Sequence, residues 1–254
     1  MRIQFASDIH LEFKENLEFI RAGAFKVNGD ILILAGDIYY LDEKLLRQCD
    51  FFKWASDNYE QTLLIPGNHE YYRHGDIVKD GNTWKLDILS NVAYYQNEVV
   101  HINNTDIILS TLWSYIRTEN EIAVYNGIND FRLISYDDGL FLPKNFNDEH
   151  LKCLSFIKQK VKECSAKNIV VVTHHVPTFK AVALHHRISK LNDAFACELG
   201  DFIVDSPIDY WIYGHSHTNI DVEIGNTKIL SNQLGYVCMG EHKQGFEGVR
   251  NIQV

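Results

Sequence analysis

The chain has 254 residues, enough for one large core, and its 46% hydrophobic and 23% charged content with only four prolines excludes disordered and fibrous classes. A net charge of −10, with Lys and Arg scattered along the chain, leaves no basic stripe for a nucleic-acid backbone or an anionic membrane; salt screening beyond roughly 8–10 Å still lets a local cationic site act on its own. Five widely spaced cysteines without a CxxC argue against a disulfide framework and a thiolate zinc site, and the first residues show no basic-then-apolar leader, so a cytoplasmic protein is expected.

The first third alternates strand and helix. RIQFAS (2–7) reads as a strand, ENLEFIRA (15–22) as a short helix and DILILAGDI (30–38) as a buried strand. DEKLLRQCDFFKWASDN (42–58) has helical spacing through Leu45, Leu46, Cys49, Phe52 and Ala55, and TLLIP (62–66) is a strand closed by GNHE. The resulting βαβαβ pattern predicts parallel strands covered by helices. In the middle, EVVHI (98–102) and DIILSTLW (106–113) read as strands around an Asn-Asn turn, and 118–145 reads as helical or loop insertions. Asn147 is expected to cap a helix over 148–164 with Leu151, Leu154, Ile157 and Val161 on one face. NIVVVTHH (168–175) and DYWIYGHSH (209–217) supply two more strands, and a hairpin over 219–232 turns at Gly225-Asn226. With no repeat or linker, a single domain over 1–254 is expected, with irregular insertions at about 112–146 and 176–208.

Five strand ends share one local pattern, in which an apolar run gives way to ligand-type side chains. Asp8 and His10 follow the first strand and Asp37 the second. Asn68 and His69 follow the third, His174 and His175 the strand NIVVV, and His215 and His217 the strand YWIY. Ligands in open α/β sheets gather beyond the carboxyl ends of strands, so these residues are expected to converge. In extended backbone, positions i and i+2 face the same way, which pairs Asp8 with His10 and His215 with His217. Carboxylate, imidazole and one amide oxygen suit borderline divalent ions, and so many donors favour two ions over one.

The ordered series DIH, GDI, GNHE, THH and GHSH, spanning residues 8–217, resembles the calcineurin-like metallophosphoesterases. That resemblance implies an α/β fold, a two-sheet β-sandwich flanked by helices, with metals at the loop ends of the central strands. It implies a first metal held by Asp8, His10, Asp37 and His217 and a second by Asp37, Asn68, His174 and His215, with Asp37 bridging. His174 is preferred over His175 on the family pattern. Gly36, Gly67 and Gly214 precede ligands, where backbone approaches the ions closely.

The implied activity is hydrolysis of phosphomonoesters or phosphodiesters by a metal-bridging hydroxide, with His69 protonating the leaving oxygen or hydrogen-bonding the phosphoryl group. Manganese is the first expectation for the two ions, with Fe, Zn, Co and Ni as alternatives, and the expected partner is a small phosphorylated substrate. Two divalent ions outweigh Asp8, Asp37 and a hydroxide by one positive charge, which suits an anionic ester. A non-catalytic scaffold on the same fold and a nuclease are the competing readings.

Members that act as protein Ser/Thr phosphatases carry Asp-Arg shortly after the GD motif. GDIYYLDEK lacks that pair at that spacing, so protein-phosphatase activity is not expected and the partner of His69 is left open. His101, His150 and His242 read as surface or satisfied core residues, His185 and His186 as solvated, and Trp113 and Tyr115 as either pocket wall or packing.

Overall fold

A computed structural model describes all 254 residues. The amino-terminal half forms β1 (Arg2–Ala6), β2 (Ile31–Ala35), β3 (Gln61–Ile65), β4 (Trp84–Leu89), β5 (Val92–Gln96), β6 (Glu98–Ile102) and β7 (Thr105–Leu109). The remainder forms the two-residue strands β8 (Ser135–Tyr136) and β9 (Gly139–Leu140), then β10 (Asn168–Val172), β11 (Tyr210–Tyr213), β12 (Val222–Ile224), β13 (Thr227–Ser231) and β14 (Asn251–Gln253). Two six-stranded sheets result, in the orders β14-β1-β2-β3-β5-β4 and β12-β13-β11-β10-β7-β6. Each has four parallel strands at its centre and an antiparallel strand on either edge.

The period-two alternation of side chains builds the layers. Ile31, Ile33 and Ala35 of β2 face the other sheet, where they meet Ile107, Leu109, Val170, Val172 and Ile212. Leu32 and Leu34 face the opposite way, onto Leu46, Phe52 and Ala55 of the helices after β2. On the outer face of the second sheet, Ile169, Val171 and Trp211 pack with Phe146, Cys153, Ile157 and Val161 of the long helix Pro143–Glu163. Every one of these side chains is nearly or fully buried, and each Val, Leu, Ile or Phe among them contributes about 1.5–3 kcal/mol of transfer free energy. The order helix, sheet, sheet, helix is the sandwich the resemblance implied.

Several local expectations are corrected. The helix over 42–58 is two, Glu43–Gln48 and Asp50–Asn58, because Cys49 turns to extended backbone (ψ 121°) and caps the second. Asn147 is not an N-cap. The helix starts at Pro143, whose missing N–H and fixed φ suit a first turn, and the Asn145 side chain accepts from the Leu142 N–H. The buried face runs through Phe146, His150, Cys153, Ile157 and Val161 with Leu154 packed beside it, leaving Leu151 in water. Asn147 instead bonds both backbone groups of Ile116, tying the helix to the insertion before it. The strand beginning at Asp106 stops at Leu109, and the chain passes through left-handed Leu112. Strands β4, β5 and β14 went unanticipated.

Candidate metal centre

All of the predicted site residues lie just beyond the carboxyl ends of parallel strands, with Asp8 and His10 after β1, Asp37 after β2, Asn68 and His69 after β3, His174 after β10, and His215 and His217 after β11. The expected extended backbone is not what pairs them. Asp8 (φ 54°), His10 (φ 49°), Asp37 (φ 56°), His215 (φ 74°) and His217 (φ 49°) are all left-handed, a conformation costing an L-residue roughly 1–2 kcal/mol. Such strain persists only where surrounding bonds over-determine it. Here the Asp8 and His10 N–H groups donate to the carbonyls of Gly36 and Asp37 (3.0 and 2.9 Å), and the His215 N–H donates to Asp8 Oδ1 at 3.0 Å.

Three glycines make the crowding possible, and at left-handed Gly36 (φ 86°) a Cβ would collide with the His174 ring. A Cβ on Gly67 would collide with Asp37 Oδ1 and stand 2.7 Å from His174 Nε2, and one on Gly214 would stand 2.6 Å from Asp8 Oδ2. Glu70 binds the loops together, accepting from the N–H groups of Asp37, Ile38 and Gly67 and from the Tyr94 hydroxyl at 2.8–3.0 Å.

The side chains form two groups. Asp8, His10, Asp37 and His217 bring one ligand atom each to within 4.8 Å of one another, and Asp37, His174 and His215 do the same. Asn68 joins the second group, with Oδ1 3.2 Å from His174 Nε2. Asp37 belongs to both, turning Oδ2 toward His10 Nε2 (3.8 Å) and Oδ1 toward His174 Nε2 (3.4 Å).

Hydrogen bonds on the far side of each ring fix which atoms face inward. His10 Nδ1 lies 2.9 Å from Glu12, His217 Nδ1 2.7 Å from Glu241 and His174 Nδ1 2.9 Å from the Ala35 carbonyl. His215 Nε2 lies 3.2 Å from the Ala194 carbonyl. Each of these partners is an acceptor, so each of those nitrogens carries the proton and the other presents a lone pair. Asn68 spends its Nδ2 donors on Asp130 (2.9 Å) and Tyr72 (3.3 Å), which turns its Oδ1 inward as well.

Lone pairs therefore face lone pairs. His10 Nε2 sits 3.1 Å from His217 Nε2, and His174 Nε2 meets two oxygens. Only protons or cations between them make such a cluster favourable, and far-side bonds to carboxylate or carbonyl are the usual support of a metal-ligating imidazole. The residues fit two divalent ions.

Charge follows the same logic. Burial pulls His217 down, but its hydrogen bonds to Asp8 and Glu241 reverse this and push it up to about 10. Burial also opposes the charge of His174, and Asp37 overcomes it, raising that imidazole to about 9. His215, desolvated and beside His174, is pushed down to about 3. For His69, burial is outweighed by the carboxylates of Asp37 and Glu12, and the ring is held above its ordinary value.

The partner of His69 that the sequence left open is Glu12, whose Oε1 lies 3.0 Å from His69 Nδ1 and 2.9 Å from His10 Nδ1. Two positions beyond His10, it continues the i, i+2 series of DIHLE, which is the signal that would have found it. His69 stacks on Tyr72 (centroids 4.1 Å apart) and reaches the Tyr236 hydroxyl with Nε2 at 3.4 Å. Tyr236, Glu241 and Asp130 carried no local signal.

These residues line a cleft of about 280 Å³ that no Lys or Arg enters. Residues 127–130 and Phe195, from the two irregular insertions, line it too. Glu12, Asp130 and Glu241 also add carboxylates that the sequence-based charge count omitted, so with two ions bound positive potential here would come from them and His69.

The other candidates sit elsewhere. His175 is fully buried behind His215 (centroids 4.2 Å apart), Trp113 lies in the core against Phe141 and Phe146, and Tyr115 and His185 are exposed.

Relatives place this geometry in context. The chain is 31% identical over 261 residues to the uncharacterized protein L509 of Acanthamoeba polyphaga mimivirus, covering 93% of this chain and 92% of that one. Its fold is like that of phosphopantetheinyl hydrolase from Mycobacterium tuberculosis, at a TM-score of 0.66 and 13% identity over 98% of this chain and 95% of that one. The family model for calcineurin-like phosphoesterases matches residues 1–219, and the chain belongs to that family.

Proposed function

We propose that this protein is a metal-dependent phosphoesterase acting on small phosphomonoesters or phosphodiesters. The observation that carries the reading is the pair of clusters sharing Asp37, in which imidazole nitrogens, carboxylate oxygens and the Asn68 amide oxygen crowd together with only protons to separate them. Asp8, His10, Asp37 and His217 would hold one divalent cation and Asp37, Asn68, His174 and His215 a second, manganese first among the candidates, and when bound these would supply Lewis acidity toward a phosphoryl oxygen and lower the pKa of water.

The chain's own groups do the rest. Glu12 fixes the His69 tautomer by holding Nδ1–H, which leaves Nε2 to carry the transferable proton into the cleft. The raised affinity of His69 for that proton suits a general acid near neutral pH. Tyr236 and Tyr72 hold the ring from two sides. Asp130 fixes the Asn68 amide, and Glu12 and Glu241 fix the rings of His10 and His217.

A cleft of this size with no Lys or Arg favours a small ester over a nucleic-acid polymer, whose backbone would call for several basic contacts. No helix is long and apolar enough to cross a membrane. Purified protein supplied with manganese should cleave a chromogenic aryl phosphate, and Asp37→Ala should abolish this. Undiminished cleavage by that variant would overturn the proposal.

A further inference from the structure

A second cavity, of about 220 Å³, adjoins the metal cleft and shares Phe195 and Ser216 with it. The Phe195 ring stacks on the His215 imidazole, with centroids 4.7 Å apart and planes at 25°, so one aromatic ring separates this chamber from a candidate metal ligand. Ser216 lies between His215 and His217 in sequence, at the same threshold. Together the two cavities reach the roughly 300–1,000 Å³ usual for small-molecule sites.

The chamber's chemistry is unlike that of the cleft. Val176, Val182, Ala183, Leu191 and Phe195 supply its apolar wall, its other residues are neutral hydroxyls and an amide, and His186 is its one titratable group. Partial desolvation, with His185 alongside, holds the otherwise exposed His186 below its ordinary value. No Lys or Arg lines the chamber, and two arginines of the neighbouring insertions are committed elsewhere. Arg187 donates to the carbonyls of Val182 (2.9 Å) and Lys180 (3.0 Å), and Arg117 is forked onto Asp193. A second phosphate or a carboxylate placed in the chamber would meet no cationic side chain in its lining, whereas an apolar group would lose water against Val176, Val182, Leu191 and Phe195.

We infer that this chamber is the subsite for the ester group of the substrate, and that the group it takes is uncharged and apolar, an aryl or alkyl moiety whose phosphoryl end lies in the metal cleft. The inference rests on the phosphoesterase reading and narrows its substrate class.

The test compares 2-naphthyl phosphate with glycerol 2-phosphate in the manganese-supplied wild type, in Ala183→Trp, which fills the chamber, and in His186→Asp, which puts a charge at its wall. Binding of 2-naphthol, the released alcohol, is followed in parallel by calorimetry. KM for the naphthyl ester should rise at least tenfold in either variant, with KM for glycerol 2-phosphate and both kcat values within twofold, and naphthol binding should weaken equally. His186 is exposed, so the His186→Asp protein decides the matter if the bulky variant does not fold. Unchanged naphthyl KM and naphthol affinity, or equal losses for both esters, would overturn the subsite. If the wild type cleaves neither ester, the phosphoesterase reading fails instead, and naphthol binding that is lost in His186→Asp still supports the chamber, whereas its absence in the wild type removes it.

Discussion

Lowering the pH should weaken metal binding in a way the geometry quantifies. In the metal-free protein His217 is raised to about 10 and His174 to about 9, so near neutral pH both are imidazolium, and the proton on His217 Nε2 fills the 3.1 Å gap to His10 Nε2. An ion entering either group must displace one proton, because an imidazole ligates only when neutral. His10 and His215 are lowered, and Asp8 and Asp37 are held below the usual carboxylate value against the pull of burial, so these four are ready without losing protons.

Each site should therefore lose about tenfold in affinity per pH unit, or a hundredfold between pH 8 and 6, about 2.7 kcal/mol. Calorimetric titration with manganese in two buffers of different ionisation enthalpy counts the released protons, and one per ion is expected. Affinity that is flat from pH 6 to 8, with no proton released, would refute the lone-pair account. The same shifts act on folding. Both pKa values are raised above the ordinary 6.5, so in the metal-free protein their contribution to stability is complete below that pH and fades as pH rises through about 9 to 10.

Replacing His69 by Asn should leave both ions bound and lower kcat by about 10²–10⁴-fold on esters with poor leaving groups, checked by elemental analysis beside steady-state rates. Glu12→Gln removes a carboxylate that raises His69 and supports His10, so with manganese supplied in excess the alkaline limb of the pH–rate profile should move to lower pH, and manganese affinity should fall by about 10–100-fold in calorimetry. Gly67→Ala drives a methyl into Asp37 and His174, and the purified variant should bind fewer than two ions. Ile33→Ala empties a fully buried position between the sheets and should cost about 2–5 kcal/mol in denaturant unfolding.

What the sequence disclosed and what it hid have physical reasons. Strands β2, β10 and β11 are continuous apolar runs ending in ligand-type residues, and both signals are local. β4 is an edge strand whose exposed side chains dilute its alternation, and β14 has only three residues, so pairing with β1 rather than propensity makes it a strand. The face of the long helix misled only at Leu151, which lies beside the buried line through His150 and Cys153 and is left in water, while Leu154, Ile157 and Val161 pack on the core. Within the site, DIH, GDI and GHSH point to residues that do converge, but through left-handed turns that no residue pattern announced. Glu241 and Asp130 are brought in by contacts across 24 and 62 positions, and such separations leave no periodic trace.

The most direct measurement is a crystal structure of the protein grown with manganese, with data collected to locate the metal by its anomalous signal. The account predicts two peaks about 3.5–4 Å apart with the Asp37 carboxylate between them, one beside Asp8, His10 and His217 and the other beside Asn68, His174 and His215. A single peak, or ions bound anywhere but against Asp37, would contradict it.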